Sequence, residues 1–272
     1  MHADGPEECP PLAGEGPSGS RLAMLLEYDG SRFCGWQSQK EGESVQGCLE
    51  KALTTLCGEA VRVIGAGRTD AGVHALGQVA HFDTRKAMPV EVWGRALNAL
   101  TPDGVSILGV WPVCKTFHAR SSASGRTYLY RLRTLVAPPA LDRGRVWHVR
   151  GGLDTESMAR AGELLLGRHD FSAFRAASCQ ARSPVREMRR VEVRSEPGEI
   201  HLWFEANAFL QHMVRNLVGS LVVVGQGRWS PDRFGEVFAG RDRTRAAATA
   251  PAHGLYLYRV AYGEGGVLSY SG

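Results

Sequence analysis

Gly65–Phe82, GAGRTDAGVHALGQVAHF, decides how the chain is read. It sets Arg68, Thr69 and Asp70 between glycine turns, then enters an apolar run that holds His74 and His81. Glycines on both sides of a carboxylate let the backbone turn sharply and approach a ligand closely. After them Gln78, Ala80 and Phe82 alternate with Val79, His81 and Asp83, which is the period of a strand. A carboxylate loop therefore feeds a strand, and the flanking segments must supply its sheet.

Upstream, Arg21–Tyr28 is mostly apolar and suits a buried strand, closed by the turn Asp29-Gly30-Ser31. Phe33 and Trp36 follow in a polar-aromatic loop, where they either pack as a lid or stack on a base. Ser44 is a helix N-cap; Val45, Leu49, Leu53 and Leu56 lie at helical spacing, and Gly58 is the stop. Val61–Ile64 reads as a strand. Downstream, Pro89 opens a helix with Val92, Trp93, Ala96, Leu97 and Leu100 on its apolar face, and Val105–Val113 is a strand. The order β-α-β-β-α-β is the split pattern of ferredoxin-like domains.

The rest of the chain has the same mixed character without a visible repeat. Arg126–Leu135 alternates as a strand near a polar ligand, and Asp154 caps a helix reaching Leu166. Val191–Arg194 and Ile200–Glu205 read as strands, Phe209–Val224 as a core helix, Ser230-Pro231 as another helix start and Leu255–Tyr262 as a final strand. The expected organisation is a disordered acidic tail over 1–20, an N-terminal α+β half over 21–115 and a C-terminal α+β half over 116–272.

Apolar residues at 43% and charged residues at 22% place the chain among ordinary globular proteins. No apolar run is long enough for a membrane span, and the acidic start lacks the basic and apolar regions of a signal peptide. There are 32 basic and 28 acidic side chains; setting aside Asp4, Glu7, Glu8 and Glu15 of the tail leaves 32 against 24. That excess is almost all arginine, which suits bidentate phosphate contacts and stacking on bases. A genome rich in GC codons would produce the same bias. The basic stretches Arg182–Arg194 and Arg241–Arg245 are either RNA surfaces or solvated charged faces. Six scattered cysteines form no CxxC pair, so neither a zinc site nor a secreted disulfide framework is expected, and the reducing cytoplasm is the expected home.

Asp70 can be a turn residue or a nucleophile. A pocket sealed over a carboxylate pushes it toward the neutral acid, and a buried cation offsets this; Arg68 and Arg215 are the candidates. His74 and His81 invite a metal reading with Asp70 and Asp83, or serve as satisfied core histidines. Arg215 lies beside the apolar stripe of its helix, so it faces either water or a carboxylate partner. No P-loop, dinucleotide fingerprint or GxSxG elbow is present.

Five stretches in order, EYDGSRFCGWQSQ, GAGRTDAGVHA, FHARSSASGRTYLYRL, FLQHMVRNLVG and APAHGLYL, resemble the TruA family of tRNA pseudouridine synthases from about Arg21 to Tyr262. The resemblance implies two ferredoxin-like halves around one continuous, mixed and mostly antiparallel sheet, with a central active-site cleft. It implies isomerisation of uridine to pseudouridine at positions 38–40 of the tRNA anticodon arm, with no metal and no cofactor, by a cytoplasmic homodimer. It assigns Asp70 as the catalytic aspartate, Arg68 as the basic residue that helps extrude the uridine, Tyr128 as the tyrosine stacking on the base, and Arg215 as the partner of the aspartate. Leu255 becomes an apolar pocket wall, and His118 and Arg120 become substrate contacts. Arg126 stands where a lysine is frequent, which keeps the charge. The competing readings are an inactive tRNA-binding protein on the same scaffold and a metal-dependent hydrolase using Asp70, His74 and His81.

Overall fold

Nine residues, Ser20–Tyr28, form β1, whose Leu22, Met24 and Leu26 are fully buried. The computed structural model describes residues 19–39, 41–263 and 266–267; the expected tail over 1–20 lies outside them except for Gly19 and Ser20. By packing, the described residues fall into two units. One runs up to Ala71, through Ala75–Ser124 and from Arg259 on; the other comprises Gly72–His74 and Gly125–Tyr258.

In the first unit, helix α1 spans Val45–Cys57. Ser44 Oγ accepts from the Gly47 N–H at 3.1 Å, and Gly58 ends the helix at φ 75°, a conformation glycine adopts without strain. Then come β2 (Ile64–Gly65), β3 (His74–Thr84), α2 (Val90–Asn98) and β4 (Val105–Val113). β1 runs antiparallel to both β3 and β4, with Leu22 opposite Phe82 and Pro112, and β2 lies antiparallel on β3. The order β4-β1-β3-β2 is that of a ferredoxin-like unit, as the β-α-β-β-α-β reading expects. Trp93, fully buried on α2, meets Phe82 of β3 at 5.5 Å between ring centroids. Asn98 at the end of α2 then grips β4, accepting from the Ile107 N–H at 2.7 Å and donating to its carbonyl at 3.0 Å.

Val61–Ile64 is a correction. Only Ile64–Gly65 pairs as a strand, because α1 side chains take the backbone groups of Val63: its N–H donates to Glu50 Oε1 at 3.0 Å and its carbonyl accepts from Gln46 Nε2 at 3.2 Å.

The second unit contains β5 (Ala123–Arg133) from Gly125 on, β6 (Trp147–His148), α3 (Thr155–Glu163), β7 (Gly167–Asp170), β8 (Val185–Glu196), β9 (Glu199–Ala206), α4 (Met213–Gly225), α5 (Pro231–Ala239) and β10 (Leu255–Tyr262) as far as Tyr258. Its order, β10-β5-β9-β8, repeats that of the first unit, with β7 added at the edge. Topology thus shows a repeat that side-chain identity hides. The β5–β6 pair is parallel, whereas β5–β9, β9–β8 and β8–β7 are antiparallel, so the fold is α+β with mixed, mostly antiparallel strands and five α-helices among the described residues. Asp154 and Ser230 cap α3 and α5 as expected. α3 packs on β8, α4 and α5, over a core of Phe171, Phe174, Phe204 and Phe234.

Candidate active site

Asp70 sits half-buried at the end of a loop whose backbone is held by the strands and loops around it. The Ala66 N–H donates to the Val79 carbonyl at 2.7 Å, and the Gly67 carbonyl accepts from Gln78 Nε2 at 2.8 Å. The Thr69 carbonyl accepts from the Trp36 N–H at 3.0 Å, and its hydroxyl lies 2.8 Å from the Tyr28 hydroxyl. Thr69 is thereby buried between an exposed Arg68 and the half-buried Asp70.

The glycines permit this packing. A Cβ on Gly35, whose φ is 107°, would stand 2.8 Å from the Thr69 carbonyl oxygen, and one on Gly65 would stand 2.4 Å from the Trp36 ring. Phe33 and Trp36 are accordingly buried as packing residues, at 6% and 3% exposure.

Beyond Ala71, Gly72–His74 belong to the second unit. His74 stacks on Tyr256 at 4.8 Å, with its Nε2 3.1 Å from the Gly144 carbonyl. His81 is buried, and its Nδ1 accepts from the Ala119 N–H at 3.1 Å; burial holds its pKa down at about 4. Asp83 is bound to Arg21, which keeps its carboxyl below the usual range. These partners serve packing, and among the described residues no three His, Cys, Asp or Glu side chains gather as a metal-ligand set.

His118 and Arg120 lie on a turn of the first unit. His118 Nδ1 accepts from the N–H groups of Arg120 and Ser121, both at 3.2 Å, so this nitrogen caps the turn and leaves Arg120 exposed. Arg21 Nη1 donates to the carbonyls of Lys115 and Phe117, and Tyr262 donates to that of Ala119, which secures the segment.

Tyr128, Arg215 and Leu255 are residues of the second unit. Tyr128, on β5, is buried and meets Phe209 edge-on at 5.0 Å. α4 begins at Met213 rather than at Phe209, because His212 takes the left-handed conformation, φ 60°. Phe209 is therefore outside the helix and available to Tyr128. Arg215, in the first turn of α4, donates from Nε to the Ala250 carbonyl at 2.8 Å, and the Ala250 N–H returns a bond to the Arg215 carbonyl at 3.1 Å. Tyr130 donates to the Pro251 carbonyl at 2.8 Å, and its ring lies so close to Gly254 that a Cβ there would be 2.6 Å away. Arg215 and Tyr130 thus anchor the segment leading into the buried Leu255. Arg126 donates to the Asn207 carbonyl at 2.9 Å.

The matched family is described as tRNA pseudouridine synthase, and it covers residues 24–120 and 161–263, which include Asp70, Arg215 and Leu255. The chain belongs to this family of tRNA pseudouridine synthases. It is 48% identical over 243 residues to tRNA pseudouridine synthase A of Rhodospirillum rubrum, covering 89% of this chain and 87% of that one. It is 49% identical to the protein of that name from Paramagnetospirillum magneticum (90% and 96% covered) and 50% identical to that from Thiobacillus denitrificans (89% and 93%).

For a tRNA pseudouridine synthase, the arginine stretches proposed from sequence are unevenly suited to RNA. Arg190 and Arg194 share Glu192, and Arg189 lies 3.7 Å from Glu187. Arg243 is turned inward: it donates to Asn216 Oδ1 at 3.1 Å, Thr249 Oγ1 at 3.0 Å and the Ala247 carbonyl at 3.0 Å. The sequence pattern by itself gives Gln78, Tyr28, Tyr130 and Phe209 no role beyond strand or core positions. An amide inside an apolar strand was the available signal for Gln78, since a buried amide needs partners. Among the described residues no helix is long and apolar enough to cross a membrane.

Proposed function

We propose that this chain isomerises uridine to pseudouridine in tRNA, at positions 38–40 of the anticodon arm, and that it works as a cytoplasmic homodimer. Asp70 is the nucleophile, Arg68 helps extrude the uridine, Tyr128 stacks on the freed base, Arg215 keeps the carboxylate ionised and Leu255 walls the pocket. His118 and Arg120 contact the RNA. The observation that carries this reading is the family match across Asp70, Arg215 and Leu255, joined to a loop whose backbone is tied down at Gly67 and Thr69 while Arg68 is left exposed.

Substrate and product are isomers. The bond from N1 to the sugar C1′ breaks, a bond from C5 to C1′ forms, and a proton passes from C5 to N1, so no co-reactant is consumed. The base must leave its stack, turn and be recaptured before it escapes. A carboxylate supplies a covalent hold, while an aromatic and an aliphatic wall confine the base.

Mapping pseudouridine in an unmodified tRNA transcript after treatment with the full chain tests the reading. Wild type is expected to modify positions 38–40 and Asp70→Ala to modify none; a wild type that binds tRNA without forming pseudouridine would leave only a binding protein.

A further inference from the structure

β3 carries an amide where its packing calls for an apolar side chain. Gln78 is 0% exposed, with Val79 and Ala80 equally buried beside it. Its Nε2 donates to the Gly67 carbonyl at 2.8 Å and lies 3.5 Å from the Tyr28 hydroxyl, which in turn meets the Thr69 hydroxyl at 2.8 Å. The carbonyl acceptor at Gly67 sets the amide's orientation, because only the NH2 end can donate. Gln78 Oε1 is then left buried with no hydrogen-bond partner among the described residues.

An orphaned buried carbonyl costs stability, and a methionine of similar length would fill the same space without it. The amide's distinct contribution is its hold on the loop. Gly67 and Thr69, the two residues it reaches directly and through Tyr28, flank Arg68, and Asp70 follows at once. Glycines at 65, 67 and 72 leave this segment free to adopt many conformations unless something outside it fixes one.

We propose that Gln78, acting with Tyr28 and Thr69, is a positioning residue that sets the Asp70 carboxylate for attack. The proposal rests on the reading of Asp70 as the nucleophile. A structural cost is accepted in the core of β3 in return for loop geometry, the arrangement expected where a local packing rule is broken near a functional site. Misplacement of a reacting group by about 1 Å costs on the order of 100-fold in rate.

The test compares full-length wild type, Gln78→Met, Tyr28→Phe and Asp70→Ala on an unmodified tRNA transcript. Turnover at saturating tRNA, tRNA Kd and melting temperature are measured for each. Gln78→Met is expected to lower kcat by roughly 10- to 100-fold, leave Kd within about twofold and keep the melting temperature near that of wild type, since removal of the orphaned Oε1 offsets the donor lost at the Gly67 carbonyl. Tyr28→Phe is expected to lower kcat in the same sense, and it decides the matter if Gln78→Met does not fold. The proposal is overturned if kcat per folded enzyme stays within about twofold of wild type, or if the loss lies in tRNA affinity alone. Asp70→Ala separates the two levels: turnover by that variant removes the nucleophile reading, whereas a dead Asp70→Ala beside a fully active Gln78→Met removes only the positioning role.

Discussion

The carbonyl oxygen of Ala248 occupies the place where a side chain at Gly219 would begin, for a Cβ on Gly219 would lie 2.0 Å from it. This close approach lets the segment after residue 246 lie along α4. Ser220 Oγ accepts from the Ala247 N–H, and Arg215 exchanges two bonds with Ala250 on either side of the contact.

Gly219→Ala should therefore destabilise the protein despite alanine's better helix propensity. Propensity favours the substitution by about 1 kcal/mol, while overpacking against a backbone atom that cannot rotate away costs about 1–3 kcal/mol or more. A net loss of about 2 kcal/mol in urea unfolding is expected. A stabilised variant would show that residues 246–250 can move off the helix freely.

His81 makes a pH prediction. Burial, with Arg21 and His118 nearby, holds its pKa at about 4, below the ordinary 6.5, and the neighbouring Asp83 opposes this only weakly. Because the folded value is the lower one, the unfolded chain takes up a proton first as pH falls. Stability is full above 6.5 and is lost between 6.5 and about 4. Wild type should lose on the order of 1–3 kcal/mol more than His81→Gln between pH 7 and pH 4.5. Parallel losses in the two proteins would assign the acid sensitivity elsewhere.

What could be read from the sequence was local. Ser44, Asp154 and Ser230 cap helices because a side-chain oxygen reaches an N–H three residues on, within one stretch of chain. The strand at Val61–Ile64 shrank because Gln46 and Glu50, on a different element, captured the backbone of Val63. Phe209 fell outside α4 because His212 turns left-handed, which apolar periodicity does not record. The Asp70 loop stood out by its glycines and charges, yet what holds it, Gln78 and Tyr28, lies on two strands that meet only after folding.

Arg243 and Arg245 should behave differently although both belong to the basic stretch. Arg243 is half-buried and bridges Asn216, Thr249 and Ala247, and Asn216 itself is 1% exposed with its amide donating to the Phe174 carbonyl. Arg243→Met would take a donor from the half-buried Ala247 carbonyl and Thr249 hydroxyl, while Asn216 Oδ1 keeps its bond from Thr249 Oγ1, and should cost about 1–2 kcal/mol, with the salt dependence of tRNA binding unchanged. Arg245→Gln, at an exposed position, should cost under about 0.5 kcal/mol; if it touches phosphate, the salt slope falls by roughly one. Unfolding curves and tRNA titrations from 50 to 200 mM salt check both, and equal slopes with equal stabilities would dissolve the distinction.

Arg215→Lys separates charge from geometry at the proposed partner of the nucleophile. Lysine keeps the positive charge but lacks Nε, so the bond to the Ala250 carbonyl is lost and the ammonium is no longer directed by a planar fork. Ala250 still donates to the Arg215 backbone carbonyl, which preserves the docking of the segment and limits the stability loss to about 1 kcal/mol. On the proposed role, charge alone does not suffice, because the cation must stand at a set place to keep the carboxylate ionised. Turnover at saturating tRNA should fall on the order of 100-fold with tRNA affinity retained, and Arg215→Leu should fall further. If Arg215→Lys instead loses tRNA affinity in step with kcat/KM while kcat holds, Arg215 is a phosphate contact, and the group that keeps Asp70 ionised must be sought elsewhere.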